Sequence, residues 1–370
     1  MIGEAGRETR LKERRMRSQE KPMKARWLAA TLLVGTVVWA GSGLAVAQKV
    51  YVANEDGNTV SVLDAASFKN IGTIPAGQAP HNVQVSPDGK LAWVTNDGEA
   101  GKESDDQASM KGMLPMPEQE AMNGRGEVWA IDTRTDTVVA RIAVGKHPAH
   151  VVFTPDGRFA YVTNGGDSTL SVIDTANRQT VAVIPVGAFP HGIRVSPDGK
   201  QAYVANLKGG TVSVIDTETR KELTRIPVGK GPAQVGFTPD GKLAFVSLSG
   251  EDKVAVIDPA TRRVIRKVSV GTVPIQVYAT PDSRELLVAN QGARNKPGKT
   301  VSVIDLETFK TAKPIETAPG THGVTVDREG RYAYVTNTYA NSVSVLDVKE
   351  RKVVAVVPVG KGPNGISVTP

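Results

Sequence analysis

The side chains in this sequence that could do chemistry are five histidines and four clustered methionines. His81, His191 and His322 each open a short run in which apolar residues alternate with small or polar ones. His150 opens a similar run one position later, and His147 lies three residues before it. Imidazole is a common ligand for copper, zinc and iron, and it is largely neutral near physiological pH. Met110, Met113, Met116 and Met122 fall within about 26 residues, whereas Met1, Met16 and Met23 all lie near the start of the chain. Thioethers are soft donors suited to Cu(I), and a spacing of three lets neighbours approach one centre. The chain has no cysteine, which excludes disulfides, thiolate metal sites and c-type haem attachment. It also lacks GxSxG, HExxH and a phosphate-binding glycine loop between strand and helix.

Residues as distant as 81 and 322 can share a site only if the chain keeps returning to one place. A repeat supplies that return. Ser61-Val-Leu-Asp64, Trp129-Ala-Ile-Asp132, Ser171-Val-Ile-Asp174, Ser213-Val-Ile-Asp216, Ala255-Val-Ile-Asp258, Ser302-Val-Ile-Asp305 and Ser344-Val-Leu-Asp347 are copies of one strand end. Successive Asp residues are 68, 42, 42, 42, 47 and 42 positions apart, a period of 42 with insertions of 26 and 5. A period in the low forties built from short strands and turns marks the blades of a β-propeller. The seven Asp residues themselves suit turn formation, since a carboxylate there can accept from nearby backbone N–H groups.

One unit shows the plan of a blade. His191–Ser196 reads as inner strand A, with turn chemistry at Pro197–Lys200. Gln201–Ala205 is strand B, Thr211–Ile215 strand C and Glu222–Val228 strand D, which gives four antiparallel strands. Residues 49–53 read as a B strand and residues 365–369 as an A strand, so the end of the chain supplies the inner strand that the first three strands lack. The expected fold is all-β: one seven-bladed propeller over 48–370, with its loose edges removed by that pairing. The longer insertion is a Met-rich loop at about 97–126.

Tyr51-Val-Ala-Asn54, Trp93-Val-Thr-Asn96, Tyr161-Val-Thr-Asn164, Tyr203-Val-Ala-Asn206 and Tyr334-Val-Thr-Asn337 give the chain its resemblance to the YVTN-repeat β-propeller family. Leu287-Val-Ala-Asn290 is a fair copy and Phe245-Val-Ser-Leu248 departs most. The resemblance implies the fold across the repeat region. It also implies kinship with the copper-ligating propeller of nitrous oxide reductase and with the haem-binding propeller of a nitrite reductase. It fixes no activity, because propellers host many.

In this topology the D-to-A and B-to-C connections share one face. The starts of the A strands then carry His81, Ala149, His191, Ala233, Ile275, His322 and Asn364, followed by Asn82, His150, Gly192, Gln234, Gln276, Gly323 and Gly365. Both insertions fall in B-to-C connections and therefore on that face. The expected metal set is His81, His150, His191 and His322 with Met110, Met113, Met116 and Met122. Gln234, Gln276 and Asn364 are additional ligand-binding candidates. Copper is the leading ion, and a haem-type tetrapyrrole held by one of the histidines is the second choice. Simple alternation puts His150 out of phase with the other three.

Residues 1–47 are set apart from the repeats. Lys24 and Arg26 precede an apolar stretch, Trp27 to Ala47, which ends in small residues before Gln48, as in an export signal. Met23 is an alternative start, and an uncleaved anchor is the competing reading. The leader holds nine basic and four acidic residues, so the +7 of the whole chain falls to +2 in 48–370. That balance gives no footprint for nucleic acid. The expectation is an exported, periplasmic, non-catalytic propeller without membrane insertion after cleavage. Its partner would be a metal ion or a periplasmic redox or metal protein. The alternatives are an interaction or small-ligand scaffold, and an enzyme such as a lactone hydrolase or a tetrapyrrole-dependent redox protein.

Overall fold

Turn chemistry comes first, because it fixes where each strand stops. Each of the seven strand-end Asp residues accepts from backbone N–H groups two or three positions on, as Asp64 does from Ser67 at 2.7 Å and Asp347 from Glu350 at 2.8 Å. The residue closing this turn takes a left-handed conformation, for example Arg220 at φ 57° and Arg351 at φ 51°. At the A-to-B turns a second device repeats: the Ser196 hydroxyl donates to Asp198, which accepts from the Lys200 N–H. The strand-end carboxylates are therefore structural.

A computed structural model describes residues 48–97 and 125–370. Residues 1–47, expected above to be a leader, and the insertion with Met110, Met113, Met116 and Met122 lie outside the described residues. Among the described residues, 28 strands form seven four-stranded antiparallel sheets. The propeller closes as the sequence implies: Pro363–Val368 becomes the inner strand beside Lys49–Asn54, with Val50 opposite Val368 and Tyr51 opposite Ser367. Gln48 adds a side-chain bond to the Thr369 carbonyl at 2.9 Å.

The core lies between blades. Val152, Tyr161, Leu170 and Val172 of one blade pack on Ile193, Ala202, Val204 and Ile215 of the next, and similar clusters recur around the ring. Each such fully buried aliphatic side chain contributes about 1.5–3 kcal/mol. The YVTN motif is legible in these contacts. Its Tyr reaches across to the neighbouring blade, as when the Tyr51 hydroxyl donates to Asp136 at 2.6 Å. Its Asn ties strand B to strand C, the Asn164 amide donating to the hydroxyls of Thr169 and Ser171 at 3.0 Å each.

Its Thr positions the inner strand. The Thr163 hydroxyl accepts from the His150 N–H at 2.9 Å and donates to the His191 carbonyl of the next blade at 2.7 Å. Thr95 makes the same clamp between Asn82 and Ala149, and Thr336 between Gly323 and Asn364. The amide it satisfies belongs to a bulge near the start of each inner strand. Pro148 pairs with Asn164 and Val151 with Val162, so the inner strand carries one extra residue over that stretch. The same shift occurs at Pro80/Val83 and Pro190/Ile193.

Candidate metal centre at the channel mouth

The bulge removes the phase problem at His150. An extra residue breaks the alternation of the strand and re-aims the side chains beside it. His150, third in its strand, therefore meets His81 and His191, each second in theirs. One ring nitrogen from each of His81, His150 and His191 lies within 4.8 Å of the other two. His81 Nε2 and His191 Nε2 are 3.2 Å apart. The ring centroids are separated by 5.2 Å for His81 and His191, 4.9 Å for His150 and His191, and 5.6 Å for His81 and His150. All three side chains are buried.

Each ring is held from outside the cluster. His191 Nδ1–H donates to the Ala233 carbonyl at 2.8 Å, which leaves Nε2 as the lone-pair nitrogen of the neutral ring. His81 Nδ1 lies 3.2 Å from the Asn364 amide nitrogen and 3.6 Å from Glu55 Oε2. Gln234 Nε2 approaches His150 Nδ1 at 3.4 Å while its Oε1 accepts from the Val235 N–H. His150 Nε2 is buried without a hydrogen-bond partner among the described residues. Burial first, then the charges of His191 and His81, push the His150 pKa well below the usual imidazole range. That ring stays neutral and able to donate its lone pair.

The other candidates sort by distance. His322 is buried on the same rim, but its ring centroid is 6.5 Å from that of His81, and it lies outside the three-nitrogen group. Asn364 and Gln234 stand directly behind ring nitrogens. Gln276 instead accepts from the Val324 N–H of the next blade at 3.2 Å. His147 pairs with Asp97 at 2.9 Å, more exposed than the cluster.

Two carboxylates at this mouth are absent from the candidates above. Glu55 and Asp97 each follow the Asn that ends a B strand, and each meets a histidine of the D-to-A side, His81 and His147 respectively. The first position of a B-to-C connection is thus the signal that locates them. Asp97 also roots the Met-rich insertion: its N–H donates to the Gln78 carbonyl, and at the far end the Gly126 N–H donates to Gly145. Both anchors lie on D-to-A connections, so the insertion leaves and rejoins the propeller on the histidine face.

Fold and site together define a seven-bladed propeller with a buried imidazole cluster at one end of its channel. The Cytochrome D1 heme domain family model matches residues 120–235, a stretch that contains His150 and His191. The model of a YNCE-like beta-propeller family matches residues 278–369. A chain of hydrazine synthase from Kuenenia stuttgartiensis is 25% identical, with a TM-score of 0.65 over 78% of this chain and 89% of that one. Dihydro-heme d1 dehydrogenase NirN is 18% identical, with a TM-score of 0.60 over 86% of this chain and 74% of its own. A protein described as a 6-phosphogluconolactonase from Bacteroides fragilis is 14% identical, with a TM-score of 0.69 over 89% and 99%. At such identities the last two show the fold alone. Antigen Lp49 of Leptospira interrogans is 27% identical over 124 residues, 34% of this chain but only a quarter of that protein's length. The resemblance carried by the YVTN-type strands is borne out: the chain is a propeller scaffold, one stretch of which matches the haem d1 domain model and whose fold is shared by lactonase-like propellers. Among the described residues no helix is long and apolar enough to cross a membrane.

Proposed function

We propose that this protein is an exported, non-catalytic propeller that holds one transition-metal ion through His81, His150 and His191, in metal handling or in support of a redox system. The observation that carries the reading is the 3.2 Å separation of His81 Nε2 and His191 Nε2, with the unpartnered His150 Nε2 buried in the same cluster. Metal–imidazole bonds of about 2.0–2.1 Å imply nitrogen–nitrogen separations of about 3.3–3.6 Å in tetrahedral or trigonal sites. The first pair is already close to that spacing, and the 4.8 Å limit of the group requires a small inward turn of a ring.

The residues behind the rings suit the same task. His191 is fixed with its Nε2 turned toward His81, and ligation by His81 Nε2 places its proton on Nδ1, facing Glu55. Such an outer carboxylate orients a ligating imidazole and raises its basicity. Copper is the ion of choice, because imidazole sites bind it most tightly among the common divalent metals and thioethers favour Cu(I). The Met110–Met122 segment, rooted on the histidine face, is the soft-donor arm of this proposal. The leader-like residues 1–47 support export.

A second reading has its own support: the haem d1 family match spans His150 and His191. In it one of these imidazoles would hold a tetrapyrrole at the mouth, which would supply redox chemistry there.

Metal analysis and an absorption spectrum of the protein purified from the periplasm test both. Near one copper per chain without a Soret band supports the first reading, and an intense Soret band replaces it with the second. If His81→Ala combined with His191→Ala leaves copper affinity unchanged, the cluster is not the site.

A further inference from the structure

Two consecutive residues of the inner strand Pro232–Phe237 set the hydrogens of two neighbouring imidazoles, and they set them in opposite ways. The Ala233 carbonyl accepts from His191 Nδ1–H at 2.8 Å, which turns the lone pair at Nε2 toward the cluster. Gln234 faces His150 instead. A backbone N–H can only donate, so the Gln234 atom 2.9 Å from the Val235 nitrogen is the amide oxygen. The amide nitrogen is then the atom that points at His150 Nδ1, 3.4 Å away. Nδ1 meets those hydrogens with its lone pair, and the hydrogen of the neutral ring sits on Nε2.

The amide is held in this orientation. Gln234 is fully buried, and its backbone N–H donates to the Ser247 hydroxyl at 3.0 Å. Its side chain lies over Gly192 of the neighbouring blade, where a Cβ would collide with Oε1. Turning the amide over would set Nε2 against the Val235 N–H, donor against donor. His150 Nε2 has no hydrogen-bond partner among the described residues, so its hydrogen is stranded inside the cluster and must leave before the ring can ligate. The other two rings differ. His191 already presents a lone pair, and His81 Nδ1 has the Glu55 carboxylate 3.6 Å away to receive a hydrogen.

We infer that Gln234 is a positioning residue that holds the His150 hydrogen on Nε2, so that His81 and His191 take the ion first. His150 joins them only as its hydrogen moves to Nδ1 and the Gln234 amide yields. The ring loses one proton and gains one, with no net change in charge. Gln234 thereby limits the affinity of the site. The order of ligation rests on the proposed metal site, whereas the position of the hydrogen does not.

The test begins without metal. In the full chain carrying isotope-labelled histidine, two-bond hydrogen–nitrogen correlation spectra show which ring nitrogen holds the hydrogen. The His150 signals are those lost in His150→Gln, and Gln234→Met should move the same ones. The metal-free chain is expected to show His150 protonated at Nε2 alone, and a hydrogen at Nδ1 overturns the inference. Competition titration of Cu(II) against a chelator follows. Gln234→Glu, whose second oxygen can accept from Nδ1–H, should bind about 10–100-fold more tightly. Gln234→Met, which removes the donor and adds no charge, should give a smaller gain, whereas a residue that merely props the ring would lose affinity when replaced. A gain with Gln234→Glu alone marks a charge effect and overturns the inference, as does a gain with neither. If no chain binds copper, the proposed function fails while the spectrum still decides where the hydrogen lies.

Discussion

His81 Nε2 and His191 Nε2 stand 3.2 Å apart although 110 residues separate them in the chain. Such a contact between two imidazoles holds a single proton, because His191 Nδ1–H is committed to the Ala233 carbonyl. On the proposed function the pair exchanges that proton for a cation, and the expectations below follow from this arrangement.

Acid should destabilise the fold through His150. Its ring is held neutral by burial, while the unfolded chain takes up a proton below a pKa of about 6.5. The unfolded state then binds more protons, so this contribution is intact above pH 6.5 and is lost as pH falls toward the depressed folded value. Between pH 6.5 and 5.5 the loss should be about 1 kcal/mol. Urea unfolding of the protein and of His150→Gln over this range checks it: the variant should show a shallower dependence.

Thr163→Val keeps the shape of the side chain but removes the clamp between the His150 N–H and the His191 carbonyl. Two buried polar groups lose their partner, at a cost of about 1–3 kcal/mol. Denaturation should report that loss, and copper affinity should fall with it because both rings lose their anchor. Thr336→Val, a clamp between Gly323 and Asn364, should cost similar stability with a smaller effect on the metal.

Glu55→Gln should weaken metal binding by about 10–100-fold, the usual effect of losing an outer carboxylate behind a ligating imidazole. The side chain, on the short 3-10 turn Glu55–Gly57, also accepts from the Asn364 amide, and glutamine keeps an oxygen for that bond, so the unfolding midpoint should move little. Competition titration with a chelator measures the first, and thermal unfolding the second.

Replacing residues 98–124 by a short glycine-serine link should leave the propeller folded, because both anchors of the insertion, Asp97 on Gln78 and Gly126 on Gly145, remain. Zinc affinity should be preserved and Cu(I) affinity reduced, as expected if thioethers supply only the soft component. Loss of partner capture with unchanged Cu(I) affinity would instead mark the segment as an interaction surface.

The architecture was legible because the repeat states it many times over. The Asp-terminated strands give the period, and strands 49–53 and 365–369 give the closure. The site was legible in part. His81, His150 and His191 lay in the right ring, but the convergence of His150 depends on a bulge that simple alternation does not express. Its sequence trace is the Thr of the YVTN motif, whose hydroxyl satisfies the amide the bulge frees. Glu55 escaped notice because a lone acid after a strand resembles any turn residue until Asp97 is seen at the same blade position.

Sealing the propeller with residues 363–368 sets a timetable for the histidine cluster. All three imidazoles belong to the first 191 residues, and Asn364, which braces His81, is synthesised long after them. A nascent chain can therefore own every ligand and still lack the cavity that presses them together. On the proposed function, loading with metal would be a late event, open only to molecules whose circle of blades is already complete.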